Sequence, residues 1–559
     1  MKCVKYFIVF WRNIMERKKY TPELVDDRLN EYYKTGIESL FDDGLQWQEK
    51  VLQDIIELGN QSEYAKDKGF FGIHSKEEFF EKVPLSNYQD YLPYIMANMR
   101  SDSNQVSSLK TDHYLLSTGK QQKGKYYIET SLGSLARQTS INLWNINLTR
   151  LEPQMSMPNV KMMAVTNCSP IESAPNGKAV RRTSGQAARE LWEKMPDLYV
   201  FPYEFLEAEM SEEDRDYLTA LYVLKEPHFN MLFCNNLTYF GVLLERIESD
   251  TQKMIDDIMH GTMSVSMSED DRRILLKKFK AEPQRAKHLQ SLLAEKGQLL
   301  VEDIWPDFVF TGSWLAGSVG AYSKDVMRRL PEEMRYLSES YGCSEGMINI
   351  PLRYNEKYGP LAVYSCYFEF IPLNGGNIKS MAEVEDGEYY ELVISTYSGL
   401  YRYRLHDIVR VCGYTGYTPN IEFCCRSEEK IVVSGETIYG YEFSALVNHI
   451  EQDYNCNIDF YQLIDQNQGF SLILQSPNNK MDFLEISKII ANELKKRRLT
   501  FNKIYWVTDK YRSFLYRLLM NNGRTIQCIK LPIVTKSIPE DQYIEMMVEG
   551  DVGEKHESI

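Results

Sequence analysis

From residue 388 to 435 the chain is cut into short apolar or alternating runs, EYYELVIST (388–396), LYRYRL (400–405), DIVRVCG (407–413) and KIVVSG (430–435), separated by Gly, Asp and Ser. Runs of this length closed by turn residues read as strands, and a tract holding so many of them has to build a sheet. The first 300 residues carry another period. LQWQEKVLQDIIELG puts Leu45, Val51, Leu52, Ile55 and Ile56 on one helical face and stops at Gly59, a C-cap; VLLERIESDTQKMIDDIMHG does the same with Ile247, Thr251, Met254, Ile255 and Ile258 before Gly261. After residue 436 the texture is mixed again, with a helix in FLEISKIIANELKKR and a tail after Ser537 that holds seven acids and one Lys, as a solvated end does. The change of texture predicts a large N-terminal α/β domain, residues 1–425, and a smaller α+β C-terminal domain, residues 426–559, with the boundary near Arg426.

Composition narrows the function classes. With 43 % hydrophobic and 26 % charged residues the chain of 559 residues has enough apolar material for a large core and lacks the signature of disorder. It has 64 Lys and Arg against 79 Asp and Glu, a net charge of −15 that repels polyanions, so nucleic acid is not expected as a partner. Ten scattered cysteines, with no CxxC pair and no His at metal-ligand spacing, indicate neither zinc nor a disulfide framework and fit a reducing compartment. The apolar run Tyr6 to Trp11 is too short for a secretory signal and reads as the start of a first helix, and no stretch nears the ~20 apolar residues of a membrane span. A cytoplasmic protein without a membrane partner is expected.

Three segments carry candidate chemistry. Residues 117–128, STGKQQKGKYYI, contain Gly119, Gly124 and Lys125 in the spacing of a Walker A loop, but Tyr126 stands where a small hydroxyl should hold Mg²⁺, and a strand follows where that motif needs a helix. Two readings remain: a Ser/Thr/Gly/Lys turn whose hydroxyls and backbone amides wrap a triphosphate, and an ordinary polar hairpin loop between HYLLS and YYIETS. YGCSEG, Tyr341 to Gly346, sets two glycines, a Ser and a Glu in a turn, where Glu345 has the oxygen chemistry for Mg²⁺. YRYRLHDIVRV, Tyr401 to Val411, reads as strand, tight turn and strand, with Arg402 and Arg404 on one face, Tyr401 and Tyr403 on the other, and Asp407 at the turn. That carboxylate can accept from both hydroxyls of a ribose, and Arg offers a fork for phosphate or carboxylate; an Asx turn with a cross-strand ion pair explains the same residues.

In order and spacing these segments resemble the Gretchen Hagen family of auxin-responsive acyl-acid amido synthetases, within the adenylate-forming superfamily of acyl-CoA synthetases and luciferase. The resemblance runs through VPLSNYQDYLPYI (Val83 to Ile95), the loop at Ser117, FTGSWLAG from Phe310, YGCSEG, YRYRLHDIV, VSGE ending at Glu436, and IKLP from Ile529. It implies the adenylate-forming fold: a large α/β domain with a β-barrel element and a small, mobile α+β C-terminal domain. It also implies a ligase that adenylates a carboxylic acid with ATP and Mg²⁺ and passes the acyl group to an amino acid or amine. Position by position, it puts Ser117, Thr118 and Gly119 on the ATP phosphates, and Tyr341, Gly342, Cys343, Ser344 and Glu345 around adenine and metal. Asp407 falls on the ribose, Arg404 in the ATP site, and Lys530, from the C-terminal domain, on the phosphates; Lys530 and Glu345 are the implied catalytic residues and Glu345 the implied Mg²⁺ ligand.

The chain departs from the family pattern at four places. Lys120 and Gln121 replace hydroxyls in the phosphate loop, Lys123-Gly124 inverts the usual Gly-Lys, Thr437 stands where a Lys follows Gly-Glu, and His406 stands where Gly precedes the ribose Asp. Lys120 or Lys123 is positioned to restore the charge missing at Thr437. The alternatives are an adenylate-forming ligase with a thiol acceptor such as coenzyme A and a non-catalytic nucleotide- or acyl-binding homologue.

Overall fold

The computed structural model describes residues 37–101, 103–117, 124–153, 160–165, 172–182, 192, 196–466, 469–477, 483–521 and 529–536. The first helix expected at Tyr6 to Trp11, the acidic tail, and Thr118, Gly119, Lys120, Gln121 and Lys123 lie outside them.

Two sheets frame the N-terminal part. One is fully parallel, in the order Lys161–Val165, Phe229–Cys234, Phe310–Ser313, Arg335–Ser338. Its strands are short and apolar and alternate with helices, as a sheet covered on both faces requires. The other is the predicted strand-rich tract, a six-stranded antiparallel sheet centred on Cys366–Pro372, Tyr389–Thr396, Tyr403–Thr415 and Thr418–Arg426. HYLLS and YYIETS pair as an antiparallel hairpin, Thr111–Leu116 with Tyr126–Thr130, within a third sheet. After Arg426 come a two-stranded ribbon, Lys430–Val433 with Glu436–Tyr439, and a four-stranded mixed sheet that carries the helices Gly440–Tyr454, Phe483–Lys496 and Lys510–Asn521.

The Thr238–His260 helix buries Ile247, Met254, Ile255 and Ile258 and ends at Gly261, whose left-handed φ of 69° sends its N–H back to Asp257. The Gly44–Gly59 helix differs from its prediction. Leu45 is exposed, Trp47 and Gln48 take the inward positions, and Gln48 ties the helix to the antiparallel sheet by donating to Val363 and Cys366 and accepting from Phe368. Gly59 is not a left-handed cap; the helix continues through it, and a Cβ there would lie 2.1 Å from the Tyr401 hydroxyl oxygen. Close approach of a tyrosine, not a turn, is what demands glycine.

The strand, tight turn and strand expected over 401–411 are also corrected. Tyr403–Thr415 is one continuous strand. What looked like a turn is a bulge: the register against the neighbouring strand jumps between Val393↔Arg404 and Glu391↔Ile408, with His406 at φ 58°. The left-handed backbone explains why glycine suits position 406, and His406 is held there by Glu391 at 3.2 Å and Asn87 at 3.3 Å.

The C-terminal segment docks on the N-terminal part through specific bonds. Asn236 donates to the Ile529 carbonyl at 2.8 Å, Tyr322 to that of Tyr461 at 2.6 Å, and Arg512 meets Asp325 at 2.8 Å.

Candidate active site

Trp314 and Glu339 follow directly, and Asn236 two residues on, from the carboxyl ends of three adjacent parallel strands, the edge where open α/β sheets hold ligands. Facing that edge is the bulge of the Tyr403–Thr415 strand, which turns Asp407 inward. Asp407 is 2 % exposed. Its Oδ2 accepts from the Tyr341 hydroxyl; its Oδ1 lies 2.8 Å from Arg426 Nη1 but receives no aligned hydrogen bond. A buried carboxylate oxygen with a charge beside it and no donor aimed at it is a vacant acceptor. Burial raises the Asp407 carboxyl, and Arg426 and the Tyr341 hydroxyl oppose that rise. Arg426 also donates to the Leu405 carbonyl at 2.9 Å, so the last residue of one strand fixes the bulge of its neighbour.

The Tyr341–Gly346 turn is closed by a bridge between Gly342 and Met347 and by the Cys343 N–H on the Gly346 carbonyl. A Cβ on Gly346 would meet Cys366 Sγ at 2.7 Å, and one on Gly342 would displace the end of the Met347 side chain, 2.6 Å away at Sδ. Arg137, from the Ser131–Leu151 helix, holds the turn from behind: it donates to the carbonyls of Cys343 at 2.8 Å and Ser344 at 3.1 Å and is paired with buried Glu129 at 3.0 Å. Glu345 Oε1 accepts from Tyr127 at 2.6 Å, and Tyr127 in turn meets the Tyr403 hydroxyl at 3.3 Å. No group of three His, Cys, Asp or Glu able to hold a metal occurs among the described residues. A single carboxylate suits Mg²⁺, which is commonly bound by one or two carboxylates with phosphates and water. The Cys343 thiol is pushed far up by burial and is inert.

Lys530 arrives from the C-terminal segment with Nζ 3.7 Å from the centre of the Trp314 ring, near enough to act electrostatically on both Asp407 and Glu339. Ser117 closes the hairpin, its N–H on the Lys125 carbonyl at 2.9 Å. Thr437 is exposed on its ribbon.

Tyr341, Glu345, Asp407 and Lys530 are thus brought to one place. The two arginines of YRYRLHDIV are employed otherwise. Arg404 forms a two-point pair with Glu391 across the strands at 2.8 and 2.7 Å. Arg402, at φ 46°, does not share its face; it turns into the core, onto Glu369 at 2.8 Å and the Val83 carbonyl at 2.9 Å. Sequence reading missed Arg426, Arg137, Tyr127, Trp314 and Glu339. Trp314 and Arg426 were marked, the first by its place in FTGSWLAG and the second by the boundary, but neither position announced a role.

Over 95 % of its length the chain superposes on a solved GH3.15 acyl acid amido synthetase in complex with 2,4-DB, covering 97 % of that structure with a TM-score of 0.78 at 18 % identity, which shows the fold. The chain belongs to the GH3 family: residues 34–333 match the GH3 family N-terminal domain and residues 359–426 its central domain. The Tyr341–Gly346 turn falls between these spans, and Lys530 lies beyond them. Among characterised relatives, jasmonoyl–L-amino acid synthetase JAR6 of Nicotiana attenuata is 25 % identical over 421 residues, 70 % of each chain. Indole-3-acetic acid-amido synthetase GH3.3 of Arabidopsis thaliana is 23 % identical over 428 residues, 72 % of this chain and 70 % of that one. The expected family and fold class are borne out. No helix among the described residues is long and apolar enough to cross a membrane.

Proposed function

We propose that this chain is an ATP-dependent acyl-acid amido synthetase, which adenylates a carboxylic acid and transfers the acyl group to an amino acid or amine. The observation that carries the reading is the vacant Oδ1 of Asp407, buried beside Arg426 and opposite the Glu345 turn, in a chain whose characterised relatives are acid–amino acid ligases. A ribose hydroxyl supplies the donor that this oxygen lacks. Tyr341, fixed through its hydroxyl to Asp407, presents its ring to adenine, and the turn Gly342, Cys343, Ser344 frames the base. Glu345 offers an oxygen to Mg²⁺, which when bound neutralises charge on the phosphates.

Ser117, Thr118 and Gly119 take the phosphate side of this reading. Lys530, whose ammonium lies on the Trp314 ring, is placed to meet the charge that builds as the acid's carboxylate attacks the α-phosphate and pyrophosphate leaves. Arg404 supports the site indirectly by pinning Glu391 beside the bulge that aims Asp407. Residues 426–559 form the smaller unit that delivers Lys530 and, by moving, opens the same pocket to the second substrate.

The test is a pyrophosphate-release screen over paired acids and amino acids. Acyl-AMP and pyrophosphate should form with a competent acid before any amine is added. ADP and phosphate as products would replace the reading with acyl-phosphate chemistry; a thioester without amino-acid dependence would select a thiol acceptor; ATP binding without any release would select a non-catalytic homologue.

A further inference from the structure

Glu339, at the carboxyl end of a parallel strand, is a carboxylate that the nucleotide reading leaves without a task. It follows directly on the Arg335–Ser338 strand, its N–H bonded to the Ser313 carbonyl at 3.0 Å, so the backbone that carries it is fixed between two parallel strands. The residue keeps some accessible surface but is crowded by protein on every side, and its carboxylate has no hydrogen bond or ion pair to any described residue. A desolvated carboxylate that keeps some accessible surface and has no donor of its own is a site for a cation or an N–H group. The titratable groups that face it are Lys530, from the C-terminal segment, and Cys234, at the end of the Phe229–Cys234 strand. Lys530 lies with its ammonium on the Trp314 ring. The thiol of Cys234 is held neutral by burial.

Amide formation has to accommodate a cation. An amino acid arrives as an ammonium, which has no lone pair, and must give up a proton before it can attack. In the nucleotide reading the open oxygen of Asp407 goes to the ribose and Glu345, held by Tyr127, goes to Mg²⁺. Glu339 is the carboxylate left for the acceptor.

We propose that Glu339 binds the ammonium of the acceptor amino acid and takes its proton in the amide-forming step, a role that rests on the acyl-AMP reading above. The proton passes to the Glu339 carboxylate, the freed lone pair forms the N–C bond to the acyl carbon, and the acyl C–O bond breaks with its electron pair leaving on AMP. The second N–H proton is then lost from the nitrogen to solvent, and Glu339 returns its own proton to solvent to complete the cycle. Burial moves the Glu339 carboxyl up to about 7, against the attraction of Lys530, where a base is both unprotonated and strong enough to act near neutral pH.

The experiment measures the two half-reactions separately in Glu339→Gln. Acyl-AMP formation, read as pyrophosphate exchange with an acid found in the screen, should stay within about threefold of the unaltered protein. Transfer from preformed acyl-AMP to a mixture of the proteinogenic amino acids at about pH 7 should fall on the order of a hundredfold. Its acid limb near pH 7 should move up towards the pKa of the amine itself. Hydroxylamine, a weakly basic amine already neutral at about pH 8, should be used equally well by both proteins, and Glu339→Asp should recover part of the transfer to amino acids. Equal loss of exchange and transfer, loss of hydroxylamine transfer, or an unfolded variant would overturn the proposal, because each assigns Glu339 to Lys530 or to the fold. Unchanged transfer to amino acids overturns it as well. Absence of pyrophosphate exchange in the unaltered protein is a different result: it removes the acyl-AMP reading itself.

Discussion

On the antiparallel side of the site, the charged groups are held by fixed partners, with Asp407 Oδ1 left open to a ligand. Asp407 lies between Tyr341 and Arg426, Glu345 is held by Tyr127, and the turn that carries Tyr341 and Glu345 is clamped by Arg137, itself paired with Glu129. On the parallel side, Glu339 has no partner among the described residues and Lys530 rests on an indole ring. Paired groups in a low-dielectric setting keep one geometry, which suits a ligand part bound alike in every step, such as adenosine. A carboxylate with no donor of its own costs little to partner, which suits steps in which the charges change. The first wall should therefore govern nucleotide affinity and the second the rates.

The largest effect that would break this division is expected at Lys530. Lys530→Ala removes a charge that acts on the developing transition state and should slow acyl-AMP formation about a hundredfold or more, while ATP binding changes by no more than about threefold. A loss confined to ATP affinity, read by equilibrium titration, would show that Lys530 belongs with the binding wall.

Asp407→Ala comes next and should act the other way. A charge-assisted hydrogen bond to a ribose hydroxyl is worth about 1.5 to 3 kcal/mol, so ATP should bind at least tenfold more weakly, with the residual adenylation rate at saturating ATP less affected. Arg426→Ala removes the charge that most opposes the upward shift of Asp407, together with the bond to the Leu405 carbonyl. Asp407 then protonates more readily, so ATP affinity should fall about fivefold near pH 7 and recover as the pH is raised, the direction set by a carboxylate that must be ionised to accept. If affinity in this variant does not depend on pH, Arg426 acts on the nucleotide directly.

The same division decides what could be read from the sequence. Asp407, Tyr341 and Glu345 were legible because each sits in a contiguous motif whose local geometry does the positioning. Arg137, Tyr127 and Glu339 were not, since their roles arise where a helix, a hairpin and a parallel strand meet, at separations of some 200 residues that no local period encodes. Arg402 and Arg404 were placed on a common face by assuming strand alternation. The left-handed residues at 402 and 406 break that period, and only the fold shows it. Gly59 was read as punctuation because helix ends favour glycine, whereas Tyr401, some 340 residues later, is what excludes a side chain there. The architecture itself was legible, because the switch from helical to strand period near residue 300 is a property of the chain and not of any single contact.

The smallest expected effect on the nucleotide, and the sharpest test of the border between the walls, is at Arg404. Burial alone would raise the Glu391 carboxyl, but His406 and Arg404 outweigh it and bring it down to about 2. The folded value lies below the ordinary 4.5, so the stability drawn from this pair is complete above about pH 4.5 and is lost as the pH falls towards 2. Arg404→Ala should therefore be less stable than the unaltered protein at pH 7, and the gap in urea midpoint should narrow as the pH is lowered through that window. Since the guanidinium is committed to Glu391 in a two-point pair, ATP affinity should change by less than about threefold. A tenfold loss of ATP affinity with an unaltered acid profile would place the Arg404 fork on the nucleotide and extend the binding wall by one strand residue. A narrowing gap with affinity intact would leave it as the pin that holds the bulge, and with it Asp407, in place.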